Sequence, residues 1–461
     1  MAQKFIENKY EICELSENPD VVVVNTCTVT NIADRKSRQV LRKVKEENPE
    51  SIIVAVGCYV QVAKETVNNM KEIDLCLGNV EKKDIVEKVE EVMKKHQKEN
   101  IEIFDVNKET EFQEMGSVTF SEKTRATVKV QDGCNNFCTY CLIPYARGRI
   151  RSRKKENVIG EVQEIAKKGI KEIVITGIHI ASYGKDLENN YKLIDLLEDL
   201  DKIDGIERIR LGSLEPTIVT DEFAKRLSKL DSICNQFHLS LQSGCDDTLK
   251  RMNRKYSCDE FFKVTEILRK YFKDVNLTTD VIVGFPGETN DEFEKTYEFL
   301  SKIKFYKMHI FKYSPREGTL AAKMTNQIDG NIKEERSQKL IELSNKNERE
   351  YNEKYIGKTV DVLFEEEKDG LWSGYTKNYV RVFVKSEENL ENKIKSVKIN
   401  DVYELRIKRK NFLLRSFLFS LRLFPFAKRN GPSGKRNDLF MKRNGPNTKK
   451  SIAKKYKIWY I

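Results

Sequence analysis

Cys134, Cys138 and Cys141, in VKVQDGCNNFCTYCLIPYARGR, are the densest metal-binding chemistry in the chain. The Cys-x3-Cys-x2-Cys spacing lets one loop bring three soft sulfur ligands to a single centre, which selects an iron–sulfur cluster or zinc. Structural zinc takes four ligands, and no fourth Cys or His stands nearby. The loop therefore reads first as three ligands of a [4Fe–4S] cluster with one iron left open. A zinc knuckle completed by a distant residue, or a set of buried thiols, is the alternative. Cys27 and Cys58 each follow a short apolar run, DVVVV and IIVAV, at the edge where open parallel sheets bind ligands. Further along, polar residues stand at the ends of apolar runs: Gly177, Ser213, Glu215, Gln242 and Ser243, with Asp280 inside one. Such positions face the mouth of a β/α barrel, but a turn glycine, a solvated acid or a satisfied core group fits each equally well. His179 and His238 receive no catalytic role.

These residues need elements to position them. Strand, turn and helix repeat over residues 20–78, which predicts a parallel α/β domain. Six further strand-like runs, near 126–130, 172–176, 207–212, 237–242, 277–284 and 307–313, alternate with helical patterns. That series predicts a partial or complete β/α barrel, with an open parallel sheet left as the alternative. After a charged helix at 332–355, residues 357–385 read as a small antiparallel β domain. The predicted organisation is 1–97, a linker at 98–119, 120–350, an incomplete β domain at 351–405 and a basic tail at 406–461.

The chain has 461 residues, 39% hydrophobic and 34% charged, which excludes collagen-like, disulfide-scaffold and disordered classes. No apolar run is long enough to span a membrane, and the first residues do not form a signal peptide, so the expected location is the cytoplasm. Of the 83 Lys/Arg and 72 Asp/Glu, 17 and 1 respectively follow Leu405, so the tail is +16 and the body −5. FAKRNGP at 426–432 recurs as FMKRNGP at 440–446, and the tail is predicted to be disordered or foreign to the fold. Against the acidic body, the run YARGRIRSRKK (145–155) reads as an RNA-phosphate contact, with a solvated charged face, some of its arginines paired to the body's acids, as the alternative. Trp372, Tyr375 and Tyr379 read either as base-stacking residues or as β-domain core.

NTCTVTNIADRKSRQ (25–39), VGCY (56–59), GCNNFCTYCLIPYARGR (133–149), ITGIHIASYG (175–184), LGSLEP (211–216), HLSLQSG (238–244), TTDVIVGFPGE (278–288) and FKYSPREGT (311–319) together resemble the radical S-adenosylmethionine methylthiotransferases. Within that family they are most similar to the branch acting on N6-threonylcarbamoyladenosine at position 37 of tRNA. The resemblance implies a flavodoxin-like N-terminal domain, a radical barrel and a small TRAM-like barrel. It implies that Cys134, Cys138 and Cys141 hold a [4Fe–4S] cluster with S-adenosylmethionine on its open iron. A 5′-deoxyadenosyl radical then removes hydrogen from C2 of the base, and a second S-adenosylmethionine supplies the methyl group. Gly177, Ser213, Glu215, Gln242 and Asp280 become cofactor-binding candidates. The tRNA anticodon loop is the implied substrate, with a flavodoxin or ferredoxin as electron donor and a monomeric state. Branches acting on isopentenyladenosine or a ribosomal-protein aspartate, and a non-catalytic zinc-dependent RNA-binding protein, are the alternatives.

The family's N-terminal domain binds a second [4Fe–4S] cluster through three cysteines. Cys27 and Cys58 match two. The third normally follows an opening strand upstream of MAQKFIENKYEI, so the expectation is a domain short of one strand and one ligand. Cys13, in YEICELS, does not match that position and reads as a small apolar residue.

Overall fold

Val21–Val24 are all buried, as a strand requires when both its faces are covered. They form β2 (Val21–Thr26), which runs parallel to β3 (Ile52–Gly57); β3 in turn pairs with β4 (Leu75–Leu77). β1 (Glu11–Ile12) lies on the far side of the same sheet. The helix Asn31–Glu47 that joins β2 to β3 is started by Thr30, whose hydroxyl accepts from Ala33 N–H. The computed structural model describes residues 1–28, 30–95, 103–114, 124–188, 190–402 and 457–460.

The second architecture is an open, curved β/α series. β5 (Arg125–Asp132) carries a short antiparallel neighbour, β6 (Arg151–Ser152), and pairs in parallel with β7 (Glu172–Gly177), which pairs with β8 (Arg208–Leu211). β9 (Gln236–Gln242), β10 (Asn276–Val283) and β11 (Lys307–Lys312) form a second parallel sheet. Isolated parallel bridges, Ile209 to Ile233 and Leu214 to Leu239, join the two. Among the described residues no pairing links β11 to β5 or β6, so the barrel is partial. Alternate residues divide its faces: Val128, Ile173, Ile209, Leu239, Val281 and Met308 enter the core under the helices. Their neighbours in sequence face the concave side.

The third sheet is antiparallel, in the order β14-β13-β12-β15: β12 (Thr359–Lys368), β13 (Leu371–Thr376), β14 (Arg381–Val384) and β15 (Ile394–Lys398). It caps the amino-terminal end of the barrel strands. Glu172, 1% exposed, accepts from Arg210 Nε at 2.9 Å and lies 3.8 Å from both Arg125 and Arg208. Burial alone would raise the Glu172 carboxyl, but the three arginines outweigh it and hold it below its usual range. Those arginines reach on into the small sheet: Arg125 to Glu365 (2.7 Å) and the Tyr379 hydroxyl (3.2 Å), and Arg208 to the Tyr375 carbonyl (2.7 Å). Tyr375 and Tyr379 stack on each other at 4.5 Å, beneath Arg125. They serve this junction, and Trp372, half-buried, packs against the small sheet's core.

The tail requires a correction. β16 (Lys457–Tyr460) enters the first sheet between β1 and β2 and is parallel to both. Lys457 N–H donates to Asp20 (2.7 Å), and the Lys457 and Ile458 carbonyls accept from Asp20 N–H (2.9 Å) and Cys13 N–H (3.0 Å). Ile458 is fully buried among Phe5, Val21, Val23 and Val54. The strand position expected to be vacant is therefore filled by the segment expected to be foreign. The rest of the tail, and residues 98–102 and 115–119 of the expected linker, lie outside the described residues.

Candidate active site

The thiol loop leaves the carboxyl end of β5. Gly133 takes φ +74°, and a Cβ there would stand 1.7 Å from the Arg149 carbonyl oxygen, so the turn accepts only glycine. Cys134 N–H donates to Gly148 O and Cys141 N–H to Cys138 O, both at 3.0 Å. From the β9–β10 connection, Met252 O accepts from Thr139 N–H (3.1 Å), and Asn253 Nδ2 donates to Phe137 O (3.0 Å). The loop is thus held from both sides with its three thiols half-buried.

Each sulfur has a donor. Asn136 N–H reaches Cys134 Sγ (3.5 Å), Ile143 N–H reaches Cys141 Sγ (3.4 Å), and Arg254 Nη1 reaches Cys138 Sγ (3.2 Å). Burial pushes the Cys134 thiol up and the Cys141 thiol to about 12. Three sulfurs on one loop, each with a hydrogen-bond donor, suit a cluster held by thiolates.

Arg254, 5% exposed, organises the region beside the loop. Glu215 takes Arg254 Nη2 at 2.9 Å, and Arg254 also donates to the Ser240 carbonyl (3.1 Å) and the Tyr256 hydroxyl (2.9 Å). His179 Nε2 lies 3.6 Å from Glu215 and 3.2 Å from Asn136 of the loop, while its Nδ1 meets the Ser182 hydroxyl at 2.7 Å. Burial would raise Glu215, but His179 and Arg254 outweigh it and keep it ionised. Sequence reasoning singled out Glu215 but not Arg254, and gave His179 no role. Nothing in residue type alone marks an arginine in RMNRKY as the partner of a distant cysteine.

Other candidates spread along the same mouth. Gly177 sits at the end of β7, where a Cβ would meet the Gln131 carbonyl at 2.9 Å, so close packing against β5 accounts for this glycine. Ser213 is exposed, and Ser243 is buried against the Thr296 hydroxyl. Gln242 adopts φ +74°, at a bulge where β9 meets β10. Asp280 lies deeper on β10, with Oδ2 3.2 Å from His238 Nε2.

At the carboxyl edge of the first sheet, Cys27 follows β2 and Cys58 opens the helix after β3. Cys58 Sγ accepts from Arg147 Nε (3.2 Å) and lies 3.6 Å from Asn79 Nδ2. Burial would raise this thiol, but Arg147 and Lys82 outweigh it and lower it. Lys82 itself is pushed down to about 7 by burial and by Arg147. The environment suits thiolate ligands. Cys13 follows Ile12, which aligns with Ile458 and through it with Val21, so it stands at the level of Val22, about five strand residues, roughly 16 Å, below Cys27. Cys76 is buried in the apolar core.

Three arginines of the basic run find partners within the protein. Arg147 turns to Cys58 and Asp132, Arg151 donates to the Arg147 and Arg149 carbonyls, and Arg153 pairs with Glu114 and Glu161. Arg149 and Lys154 remain exposed.

The Radical SAM superfamily model matches residues 128–300, the uncharacterized protein family UPF0004 model residues 1–78 and the TRAM domain model residues 353–405. A radical S-adenosylmethionine methyltransferase, TsrM from Kitasatospora setae, shares the fold with a TM-score of 0.50 over 66% of each chain at 13% identity. Fold and thiol loop therefore define a radical S-adenosylmethionine enzyme with one such cofactor site. The threonylcarbamoyladenosine tRNA methylthiotransferase MtaB of Bacillus subtilis is 40% identical over 86% of this chain and 89% of its own. That of Aquifex aeolicus is 40% identical over 83% and 92%. The tRNA-2-methylthio-N(6)-dimethylallyladenosine synthase of Clostridium novyi is 37% identical over 77% and 79%. The chain belongs to the radical S-adenosylmethionine tRNA methylthiotransferases.

Proposed function

We infer that this enzyme methylthiolates C2 of N6-threonylcarbamoyladenosine at position 37 of tRNA. The observation that carries the reading is the thiol loop at the carboxyl mouth of a partial β/α barrel, in a chain whose threonylcarbamoyladenosine-modifying relatives match along most of their length. Cys134, Cys138 and Cys141 are the residues that would hold the cluster. When bound, cluster and S-adenosylmethionine supply one-electron cleavage of the sulfonium and removal of the C2 hydrogen, which acid–base groups cannot accomplish.

The chain's own residues orient and exclude. Arg254 keeps positive charge on the Cys138 sulfur, and Glu215 with His179 fixes Arg254. Asn253 and Thr139 fix the loop. The concave face of β9–β11 is the space for the base. Cys27 and Cys58 would hold a second cluster, short of its third thiolate, as the station for the inserted sulfur, and a second S-adenosylmethionine would supply the methyl group. Gly177, Ser213 and Gln242 line the approach to the cofactor. Arg149 and Lys154 contact tRNA phosphates. A reduced flavodoxin or ferredoxin delivers the electron to a monomer. Among the described residues no helix is long and apolar enough to cross a membrane.

The test is mass spectrometry of tRNA nucleosides from cells with and without the gene. Loss of 2-methylthio-N6-threonylcarbamoyladenosine on deletion is the expected result. Loss of the isopentenyl derivative instead, or no change, would overturn the substrate assignment.

A further inference from the structure

His238, Asp280 and His309 come from three neighbouring strands and face the same way. On β9, Phe237, Leu239 and Leu241 enter the core under the helices, which leaves His238 on the concave face. On β10, Leu277 and Val281 enter that core, which leaves Asp280 opposite. On β11, Met308 enters it, which leaves His309 opposite. The register sets Asp280 beside His309 and Thr278 beside His238. One ligand atom from each of the three lies within 4.8 Å of the other two.

We propose that His238, Asp280 and His309 bind one divalent transition-metal ion, whose open positions take the carboxylate of the substrate's threonyl group. The second clause rests on the substrate reading above. Two imidazoles and one carboxylate are a donor set for zinc, ferrous or manganous ions, and three protein ligands leave positions for an oxygen donor.

The surroundings are those of a ligand set. His238 Nδ1 meets the Thr278 hydroxyl at 3.0 Å, which turns Nε2 toward Asp280, 3.2 Å away. A polar partner on the far nitrogen is what orients metal-binding histidines. Lys307, the cationic neighbour on β11, is turned to Glu348 at 3.1 Å, so it does not neutralise the carboxylate. His238 and Asp280 remain 15% and 30% exposed, which leaves an approach.

Position and charge indicate the ligand. His238 stands two residues before Ser240, whose carbonyl accepts from Arg254, the residue against Cys138. The three groups are therefore about 7 Å deeper in the barrel than the Arg254 layer. A threonyl carboxylate reaching that depth would meet the like charge of Asp280. A bound divalent ion reverses the sign there and gives the carboxylate a ligand position.

The full chain, with its clusters reconstituted and held in the diamagnetic oxidised state, is titrated with Mn2+, and the free-ion EPR signal reports binding. One ion per chain is expected, with imidazole nitrogen couplings in pulsed EPR. His309→Ala and His238→Ala should each remove one imidazole coupling and weaken binding by about tenfold or more, and Thr278→Val by about tenfold. Unchanged thermal transitions and cluster absorbance certify folding. If His238→Ala does not fold, His309→Gln on the outer strand carries the test. No bound Mn2+ at millimolar metal, or binding that ignores these substitutions, would overturn the site. Addition of the nucleoside N6-threonylcarbamoyladenosine, but not adenosine, should perturb the bound-ion spectrum. Bound Mn2+ indifferent to that nucleoside would overturn the carboxylate clause. Failure of the cellular nucleoside analysis leaves the Mn2+ titration unaffected, so the two readings fail separately.

Discussion

Cys138→Ala is expected to reduce reductive cleavage of S-adenosylmethionine to background. The loop supplies three thiols, and the alanine leaves two, too few to hold a cluster that keeps one iron open for the cofactor. The substitution is small, and Cys138 is half-buried. The loop's anchors, Thr139 on Met252 and Asn253 on Phe137, do not involve its sulfur. The barrel should therefore melt as the parent does while cluster absorbance and 5′-deoxyadenosine both disappear. Arg254→Met should act differently, keeping the thiols but removing the charge from Cys138 and stranding Glu215. Its expected signature is a shifted cluster potential with slower cleavage. Continued 5′-deoxyadenosine formation by the Cys138→Ala protein would remove the loop from the mechanism.

Removing residues 455–461 is expected to unfold or loosen the N-terminal sheet while leaving the barrel intact. β16 is an interior strand, so its loss strips partners from both β1 and β2 and uncovers the core around Phe5, Val21 and Val23. Ile458→Ala alone should cost about 2–5 kcal/mol in that domain. Hydrogen exchange read by mass spectrometry should show lost protection in residues 11–26 and unchanged protection in β9 and β10. Addition of a peptide with the sequence KKYKIWYI should restore protection in part. Equal protection with and without the segment would mean that β16 contributes nothing to the sheet.

The strand was illegible in the sequence for a physical reason. KIWY is short, carries no clear alternation, and pairs with residues more than four hundred positions away, whereas its neighbours in sequence are basic and repetitive. The six barrel strands were legible because they recur in regular alternation with helical patterns. The cysteine loop was legible because its ligands lie within one short segment. Arg254, Glu215 and His179 come from three connections, and only the folded barrel brings them together. His238 and Asp280 drew notice as polar residues among apolar ones, but His309 became relevant only through the register of β10 with β11. Where the arginines of residues 147–153 point was illegible, because residue type reports charge, not direction. Pairing of β6 with β5 turns Arg151 inward, and an acidic partner does the same for Arg153.

The barrel directs hydrogen abstraction to C2 of N6-threonylcarbamoyladenosine. The most direct measurement supplies tRNA deuterated at that carbon to the reconstituted enzyme, with S-adenosylmethionine and a reductant, and weighs the 5′-deoxyadenosine produced. The account predicts one deuterium in that product, dependent on the threonylcarbamoyl group and absent with Cys138→Ala. Unlabelled 5′-deoxyadenosine, or label that passes only from isopentenyladenosine-containing tRNA, would contradict it.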